Sequence, residues 1–331
     1  MKHLNDLGTW NTIGLGRRER QSSASSRFIP VDLLDSPSCH DAFRSLPPVH
    51  VVFFVAYAPR SSPAEEVEPN LAILKNLVTA IAPNCAELER VVLLQGSKWY
   101  GNHIGPYKTP SNEDDPRIPV PNFYYAQQDW LSARQQGQSW TWSALRPHAV
   151  MGFNPGSPMS LLNVLAVYAA VSKHLATVLR FPGTDAAYNA VYQMTDARLL
   201  ARAMVWAATE PACANRAFNL TNGDLDRWSH LWPKIAAAFD MEPGPALPLR
   251  LDEVMAGREP LWREMVERYS LQNESWNQVV SWKFGDFVFH SGYDHISNMT
   301  RARQAGWCEA LDTEQMLIEL LKELRTARVV P

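Results

Sequence analysis

Three consecutive segments of the sequence decide the fold. HVVFFVAY (residues 50–57) is almost entirely apolar, NLAILKNLVTAIA (residues 70–82) places apolar residues at helical spacing, and RVVLLQ (residues 90–95) is again apolar. A continuous apolar run is typical of a strand buried on both faces of a parallel sheet, and Pro83 helps to end the helix between the two runs. The three segments therefore predict a strand–helix–strand unit.

The same alternation extends on both sides of this unit. Further strands are expected at Trp10–Leu15, Phe28–Val31 and Trp140–Leu145. Strands that alternate with helices predict an α/β protein with a doubly wound parallel sheet and right-handed crossovers. Ligands of such sheets bind beyond the carboxyl ends of the strands, so that is where functional residues are expected.

The second half of the chain is predicted to be mostly helical. A short strand is expected at Ala217–Leu220, a loop in the proline-rich residues 243–250, and an N-cap at Thr195. The helices are expected at Ser160–Leu175, Asp196–Thr209, Trp228–Phe239, Leu251–Tyr269 and Asp312–Arg325. The Trp and Phe residues of this half suggest an apolar substrate pocket.

Composition narrows the functional classes. The 331 residues carry 31 Lys plus Arg against 34 Asp plus Glu, a net charge of -3. This balance argues against nucleic-acid binding by bulk electrostatics. No apolar stretch reaches the roughly 20 residues that a membrane span needs, and an apolar signal core is missing. We therefore expect a cytoplasmic protein with no nucleic-acid or membrane partner, although the Arg- and Ser-rich residues 17–27 leave a transit peptide as an alternative.

Metal and disulfide chemistry are not expected. The four cysteines are far apart and form no C-x-x-C pair, which favours a reducing compartment. His290, Asp294 and His295 could be drawn as a metal cluster, but this spacing is more typical of a polar loop. The sequence also lacks a G-x-S-x-G elbow, a P-loop and an H-E-x-x-H motif.

The segment GLGRRE (residues 14–19) resembles the start of a glycine-rich phosphate loop, but Glu19 stands where the third glycine belongs. A carboxylate there would repel a pyrophosphate, so the segment is better interpreted as the end of the second strand of a Rossmann sheet. Arginines at that position accommodate the extra phosphate of NADP, which makes Arg17 and Arg18 candidate ligands. The alternative is that both are solvated residues of a polar loop.

A lysine and a tyrosine are the candidate catalytic pair. The strand at residues 90–95 runs into GSKWYG (residues 96–101), which carries Lys98, and Tyr124 follows before a helical segment. A Tyr hydroxyl beside a Lys ammonium can act as a proton donor, because the positive charge is expected to lower the pKa of the phenol. On spacing alone the signal is weak, and packing residues are the favoured interpretation.

With these motifs in place, the sequence resembles the progesterone 5β-reductase and iridoid synthase family of atypical extended short-chain dehydrogenases/reductases, over roughly residues 10–331. The matching segments are LQGSKWY (94–100) with GP (105–106), NFYY (122–125), LRP (145–147), GFNP (152–155), VYAA (167–170) with KH (173–174), FN (218–219), TNGD (221–224), WKF (282–284), SNM (297–299) and the final Val-Pro.

The resemblance implies NADPH-dependent 1,4-reduction of activated C=C bonds in enones and enals. Tyr124 would hydrogen-bond the carbonyl oxygen of a small apolar enone or enal, and Lys98 would support it electrostatically. Gln128 stands where ordinary short-chain dehydrogenases have their lysine. The NADP(H) contacts carried over by the resemblance are Arg17, Arg18, Asp32, Leu33, Gln95, Pro147, Ala149, Ser157 and Met159, with Asn usual in the family at the position of Ala149.

The expected organisation has one departure from the family. We expect an NADP-binding Rossmann-like domain at residues 1–158 and a smaller, mostly helical substrate cap at residues 159–331, with about 183–210 returning to the first domain. The family begins with a strand, a glycine-rich turn and a helix, and this first βα unit is apparently missing before Trp10. A start site assigned too late, a truncated paralogue or a differently closed sheet would each explain this.

Three functions therefore remain open. They are the reductase, a cofactor-deficient, non-catalytic Rossmann-like protein, and an NADP-dependent epimerase or dehydratase, which the absent Tyr–Lys spacing disfavours. Whether the protein is a homodimer is left open by the sequence.

Overall fold

The structure is a computed structural model that describes residues 1–18, 26–44, 46–81, 86–272 and 275–331. Glu19, Ala82, Pro83 and Cys85, which enter the expectations above, lie outside the described residues. The strands are β1 (Thr12–Gly16), β2 (Ser26–Pro30), β3 (Val51–Phe54), β4 (Arg90–Leu94), β5 (Thr141–Pro147), β6 (Val150–Met151), β7 (Leu179–Arg180), β8 (Val191–Tyr192), β9 (Thr195–Asp196), β10 (Arg216–Leu220), β11 (Asp226–Arg227) and β12 (Pro243–Gly244).

The helices are numbered in the same way. They are α1 (Lys2–Leu7), α2 (Ser36–Phe43), α3 (Pro63–Ile81), α4 (Phe123–Gln135), α5 (Leu161–His174), α6 (Asp185–Asn189), α7 (Ala197–Thr209), α8 (Trp228–Ala238), α9 (Leu251–Val254), α10 (Glu259–Tyr269), α11 (Trp276–Val279), α12 (Trp282–Phe289), α13 (Thr300–Gln304) and α14 (Thr313–Thr326). None of them, over the described ranges, combines the length and the apolar character that crossing a bilayer requires.

A parallel sheet of four strands, in the order β10-β5-β4-β3, forms the centre of the molecule. Val52 lies opposite Val91, and Leu145 lies opposite Phe218. The middle of β4 is completely buried, as its unbroken apolar sequence predicts. Helices α2, α3 and α4 pack on one face and helices α7 and α13 on the other. The predicted doubly wound, Rossmann-like architecture is therefore confirmed.

Strands β1 and β2 form a separate parallel pair. In the Rossmann order 3-2-1-4-5-6, β2 and β1 correspond to strands 3 and 2, and β3 corresponds to strand 4. No strand among the described residues lies between β1 and β3. Trp10 packs beside β3 instead, with its ring 5.9 Å from that of Phe53. The sheet is thus divided where the central strand of a Rossmann fold belongs.

The two glycines of β1 have a packing role. Gly14 lies opposite Phe28 of β2, and a side chain at Gly14 would come within 2.9 Å of the Phe28 ring. A side chain at Gly16 would come within 3.2 Å of the same ring. These glycines lie inside a strand and make room for an aromatic side chain, in agreement with the interpretation that GLGRRE is not a phosphate loop.

The C-terminal region is mostly helical and has its own hydrophobic core. Helix α5 is buried along almost its whole length and contacts α12 and α14. Trp228, Trp232 and Trp262 are fully buried in this core. The tryptophans that suggest a substrate pocket from the sequence are therefore core residues in these three cases.

Three local expectations were wrong. Asp196, not Thr195, caps α7 by accepting a hydrogen bond from the Arg198 N–H, whereas the Thr195 hydroxyl donates to the carbonyl oxygen of His148. The single helix expected at residues 251–269 is two helices, because Gly257 between them has a left-handed φ of 74°. The loop expected at residues 243–250 begins with β12, which pairs with β7.

Candidate active site

The hydroxyl of Tyr124 lies at the carboxyl ends of the middle strands. After β4, the chain continues through Gln95 and Gly96 into a short 3-10 helix, Ser97–Tyr100. A Cβ atom at Gly96 would lie 3.3 Å from Tyr124 Oη and 3.6 Å from the carbonyl oxygen of Pro147. Because Gly96 has no side chain, the phenol can approach the strand ends, which is where ligands of such sheets bind.

Asn122 joins the two segments that carry Lys98 and Tyr124. Its Oδ1 accepts a hydrogen bond of 3.0 Å from the Tyr124 N–H, which caps the start of α4. Its Nδ2 donates to the carbonyl oxygen of Lys98 at 2.9 Å. One amide side chain thus fixes the start of α4 against the 3-10 helix, and the predicted pair lies in adjoining segments.

Gln128 takes part in a buried network around Arg146. The Gln128 amide oxygen accepts hydrogen bonds from Arg146 Nη2 and Gln95 Nε2, both at 3.2 Å. Arg146 Nε donates to Gln95 Oε1 at 2.9 Å, and the guanidinium lies 3.6 Å from the Trp99 ring centroid. The position that is lysine in ordinary short-chain dehydrogenases therefore holds a neutral acceptor bound to a buried cation, whereas Lys98 lies on another element, the 3-10 helix Ser97–Tyr100.

The pKa of Tyr124 differs from the expectation. Burial raises it well above its usual range, and the Glu66 carboxylate raises it further. Lys98 instead lowers the pKa of His103, whose burial has the larger effect. The expectation that Lys98 lowers the pKa of Tyr124 is therefore wrong, because burial and a nearby anion dominate at the phenol. Tyr124 is a neutral hydrogen-bond donor at physiological pH.

The cofactor residues of the N-terminal strands lie at the ends of β1 and β2. Arg17 and Arg18 follow β1 and are exposed, and no described residue forms an ion pair or hydrogen bond with either guanidinium. Asp32 accepts from the Leu34 N–H, and the carbonyl oxygen of Leu33 accepts from Asn76 on α3. Two exposed guanidiniums that have no partner in the described part of the chain, together with the absence of a side chain at Gly96, fit a phosphorylated dinucleotide.

The remaining cofactor candidates follow β5. Pro147 ends this strand, and Ala149 has a left-handed φ of 42°. Among non-glycine residues Asn adopts this conformation most readily, so the Asn usual in the family would suit the backbone here. Ser157 and Met159 lie in the loop before α5; Asn163 Nδ2 donates to the Ser157 carbonyl oxygen at 3.1 Å, and Met159 is exposed.

Several residues of the site carry no signal in the sequence. Glu66 is buried and accepts a hydrogen bond from the Tyr57 hydroxyl. His148 stacks on His295 with ring centroids 4.7 Å apart, and its Nδ1 lies 2.7 Å from Ser97 Oγ. Glu66 looks like any acidic residue in the first turn of a helix, and only the packing of α3 distinguishes it from its exposed neighbours.

The His290, Asp294 and His295 set is engaged in other contacts. His295 Nε2 lies 2.9 Å from Ser291 Oγ, and Asp294 accepts a hydrogen bond of 2.8 Å from the Val191 N–H. His290 Nδ1 lies 3.0 Å from the carbonyl oxygen of Asp286. Within the described part of the chain, no group of three or more His, Cys, Asp or Glu side chains is arranged to hold a metal ion.

The central parallel sheet with helices packed on both faces defines a Rossmann-fold protein. Residues 40–331 match the PRISE-like Rossmann-fold domain, and the chain belongs to this family. The resemblance found in the sequence motifs is thereby confirmed.

Curated relatives extend over nearly the whole chain. An (S)-8-oxocitronellyl enol synthase of Camptotheca acuminata is 33% identical over an alignment of 338 residues that covers 98% of this chain and 86% of the relative. A 3-oxo-Delta(4,5)-steroid 5-beta-reductase of Arabidopsis thaliana is 32% identical over 340 residues, with the same coverage of 98% and 86%.

Solved structures share the fold at low sequence identity. UDP-glucose 4-epimerase of Thermotoga maritima, solved with UDP-glucose, has a TM-score of 0.68 at 16% identity and covers 98% of this chain and 94% of its own. RMD of Pseudomonas aeruginosa, solved with NADPH, has a TM-score of 0.64 at 15% identity, with coverage of 98% and 93%. At these identities, the likeness concerns the fold alone.

Proposed function

We propose that the protein is an NADPH-dependent reductase of activated C=C bonds in small enones or enals. The observation that carries this proposal is the placement of the Tyr124 hydroxyl over Gly96 at the strand ends, in the segment adjoining Lys98. The names of the relatives, an enol synthase and a steroid 5-beta-reductase, support the same class of reaction.

The chemistry assigns one task to each residue. NADPH, when bound, supplies the hydride. Tyr124 keeps its proton, because its pKa is raised by burial and by Glu66, and donates a hydrogen bond to the substrate carbonyl oxygen. That oxygen gains negative charge as the double bond is reduced, so a preorganised donor stabilises the transition state more than the ground state. Lys98 adds positive charge to the same crevice.

The choice of NADPH over NADH follows from the N-terminal strands. Arg17 and Arg18 follow β1, where a doubly wound fold recognises the ribose of the adenosine, and neither guanidinium has a partner within the described residues. Gln95, Pro147 and Ala149 would contact the nicotinamide end. A cytoplasmic location, a homodimer and the division at residue 158 remain expectations from the sequence.

Replacement of Tyr124 by Phe tests this proposal. We expect Tyr124→Phe to lower kcat for citral about 100-fold or more, the range for loss of one hydrogen-bond donor to a developing oxyanion, while the melting temperature changes little. Tyr269→Phe, on the remote helix α10, serves as the control. Turnover by Tyr124→Phe equal to that of the wild type would refute the assignment.

The division of the sheet supports a second candidate function, a non-catalytic Rossmann-like protein. No described residue supplies the strand between β1 and β3, which in this fold leads into the pyrophosphate-binding turn. Titration of the 331-residue chain with NADPH, followed by tryptophan fluorescence, separates the two functions. Micromolar binding supports the reductase, and no binding at millimolar NADPH supports the alternative.

A further inference from the structure

Glu66 and Tyr57 form a carboxylate–hydroxyl pair beside Tyr124, and the proposed mechanism uses only the charge of Glu66, not its hydrogen-bonding capacity. The Tyr57 hydroxyl donates a hydrogen bond to Glu66 Oε1. Glu66 is only 9% exposed, although acidic side chains are rarely buried without a charged partner. The pair lies next to the reaction centre, because Tyr57 stacks on Phe123, the residue before Tyr124, with ring centroids 5.5 Å apart.

The backbone around this pair is held firmly. The Glu66 N–H donates to the carbonyl oxygen of Ser62 at 3.1 Å, within the first turn of α3. Asn70 Nδ2 donates to the carbonyl oxygens of Glu66 and Ala58, at 2.8 and 2.9 Å. Asn70 therefore fixes the Glu66 backbone to the chain just after Tyr57, and the position of the carboxylate is built into the fold.

The two oxygens of this carboxylate differ in their contacts with the described residues. Oε1 accepts from Tyr57, whereas no described residue donates a hydrogen bond to Oε2 or forms an ion pair with Glu66. The nearby His103 is also incompletely paired, since its Nδ1 is buried without a hydrogen-bond partner. An ionised carboxylate is only an acceptor and binds hydroxyl or N–H donors, and an anionic group would be repelled.

We propose that Glu66, oriented by Tyr57, is a hydroxyl-binding subsite in the wall of the reaction crevice. A hydroxyl here could come from two sources, the ribose next to the nicotinamide or the substrate beside its carbonyl group. The shared chemistry is a neutral hydroxyl donor and a carboxylate acceptor. This inference rests on the proposed function, which identifies the crevice as the place where substrate and cofactor bind. It adds a preference for substrates or cofactors that carry a hydroxyl group, which a purely apolar enone lacks.

The experiment compares the wild type with Glu66→Gln, Tyr57→Phe and the control Glu65→Gln. Glu65 is the adjacent residue of α3. Its exposed carboxylate accepts a hydrogen bond from the Ser61 hydroxyl, and its backbone N–H donates to Ser62 Oγ, so the control removes the same charge outside the crevice. For each protein, the Kd of NADPH is measured by tryptophan fluorescence. The kcat/KM values are measured for cyclohexenone and for its ring-hydroxylated analogue.

Two results support the subsite and distinguish its ligand. If the ribose is the ligand, Glu66→Gln raises the Kd of NADPH about tenfold, the effect of losing one charge-assisted hydrogen bond. If the substrate is the ligand, the Kd stays constant and Glu66→Gln lowers kcat/KM about tenfold more for the hydroxylated ketone than for cyclohexenone. Tyr57→Phe should shift the same quantity in the same direction, and Glu65→Gln should change neither.

Other results overturn one proposal or both. If the wild type reduces both ketones and Glu66→Gln behaves like Glu65→Gln, the subsite is refuted and the reductase stands. If NADPH binding depends on Glu66 but neither ketone is reduced, the reductase is refuted and the subsite stands. If the wild type neither binds NADPH nor reduces either ketone, both proposals fail.

Discussion

The four-stranded sheet and the β1–β2 pair hold the two ends of the proposed cofactor site in different ways. Strand β4 is paired on both sides, and the residues that follow it are fixed by Asn122 and by the Arg146 network. Among the described residues, strand β1 pairs with β2 alone, and Arg17 and Arg18, which follow it, have no partners there. The reaction end of the proposed site is therefore held in place independently of the adenosine end.

The first prediction measures this difference as stability. Leu93 of β4 is completely buried, whereas Leu15 of β1 is only partly buried against the same core. Leu93→Ala should lower the free energy of unfolding by about 2–5 kcal/mol, the usual cost of a large cavity, and Leu15→Ala by about 1 kcal/mol, because less apolar surface is lost. Urea unfolding measures both. Equal losses would show that β1 is as well integrated as β4.

The second prediction concerns the contact between the sheet and the C-terminal region. His148 follows β5 and stacks on His295. Burial lowers the pKa of His295 to about 4, and burial together with His295 lowers the pKa of His148 well below its usual value. The unfolded chain, with a His pKa of ~6.5, binds more protons than the folded chain below that pH.

Stability should therefore rise with pH from about 4 to ~6.5 and be fully present above that range, with His295 contributing ~2–3 kcal/mol. His295→Gln removes this titration and should flatten the pH dependence of the unfolding free energy relative to the wild type. His40→Gln, at an exposed position on α2, is the control. An unchanged slope in His295→Gln would contradict the buried neutral imidazole.

The third prediction tests the adenosine end, where we expect the smallest effect. Replacement of both Arg17 and Arg18 by Ala should raise the Kd of NADPH about tenfold through loss of charge-assisted hydrogen bonds, while the Kd of NADH stays constant. Arg27→Ala, an exposed arginine on β2, controls for net charge. A parallel loss of NADH affinity would mean that these arginines do not read the 2′-phosphate.

Much of the fold follows from local patterns. The apolar runs of β3 and β4 and the helical periodicity of α3 are sufficient to predict a strand–helix–strand unit whose two strands are parallel. The N-cap at Thr195 was wrong because Asp196, one residue later, competes for the same role. The break at Gly257 could not be placed, since an isolated glycine is compatible with a helix as well as with its end.

The candidate site was less accessible to sequence reasoning. Lys98 and Tyr124 could be found in the sequence because one follows a recognisable strand, β4, and the other lies at the start of a helix, α4. The structure then shows that Asn122 joins their two segments. The raised pKa of Tyr124 was not predicted, because it depends on burial and on Glu66, which is 58 positions earlier in the chain and is brought close only by the packing of α3 on α4. Long-range charge contacts of this kind leave no local signal.

The central claim is that Tyr124 and Lys98 direct reduction of the C=C bond. NADPH deuterated at the transferred position of the nicotinamide, supplied with citral, tests it most directly by NMR of the product. Deuterium is expected on the β-carbon of a saturated aldehyde. In Tyr124→Phe, this labelled product should decrease in proportion to the loss of turnover. Deuterium on the carbonyl carbon of an allylic alcohol would contradict it.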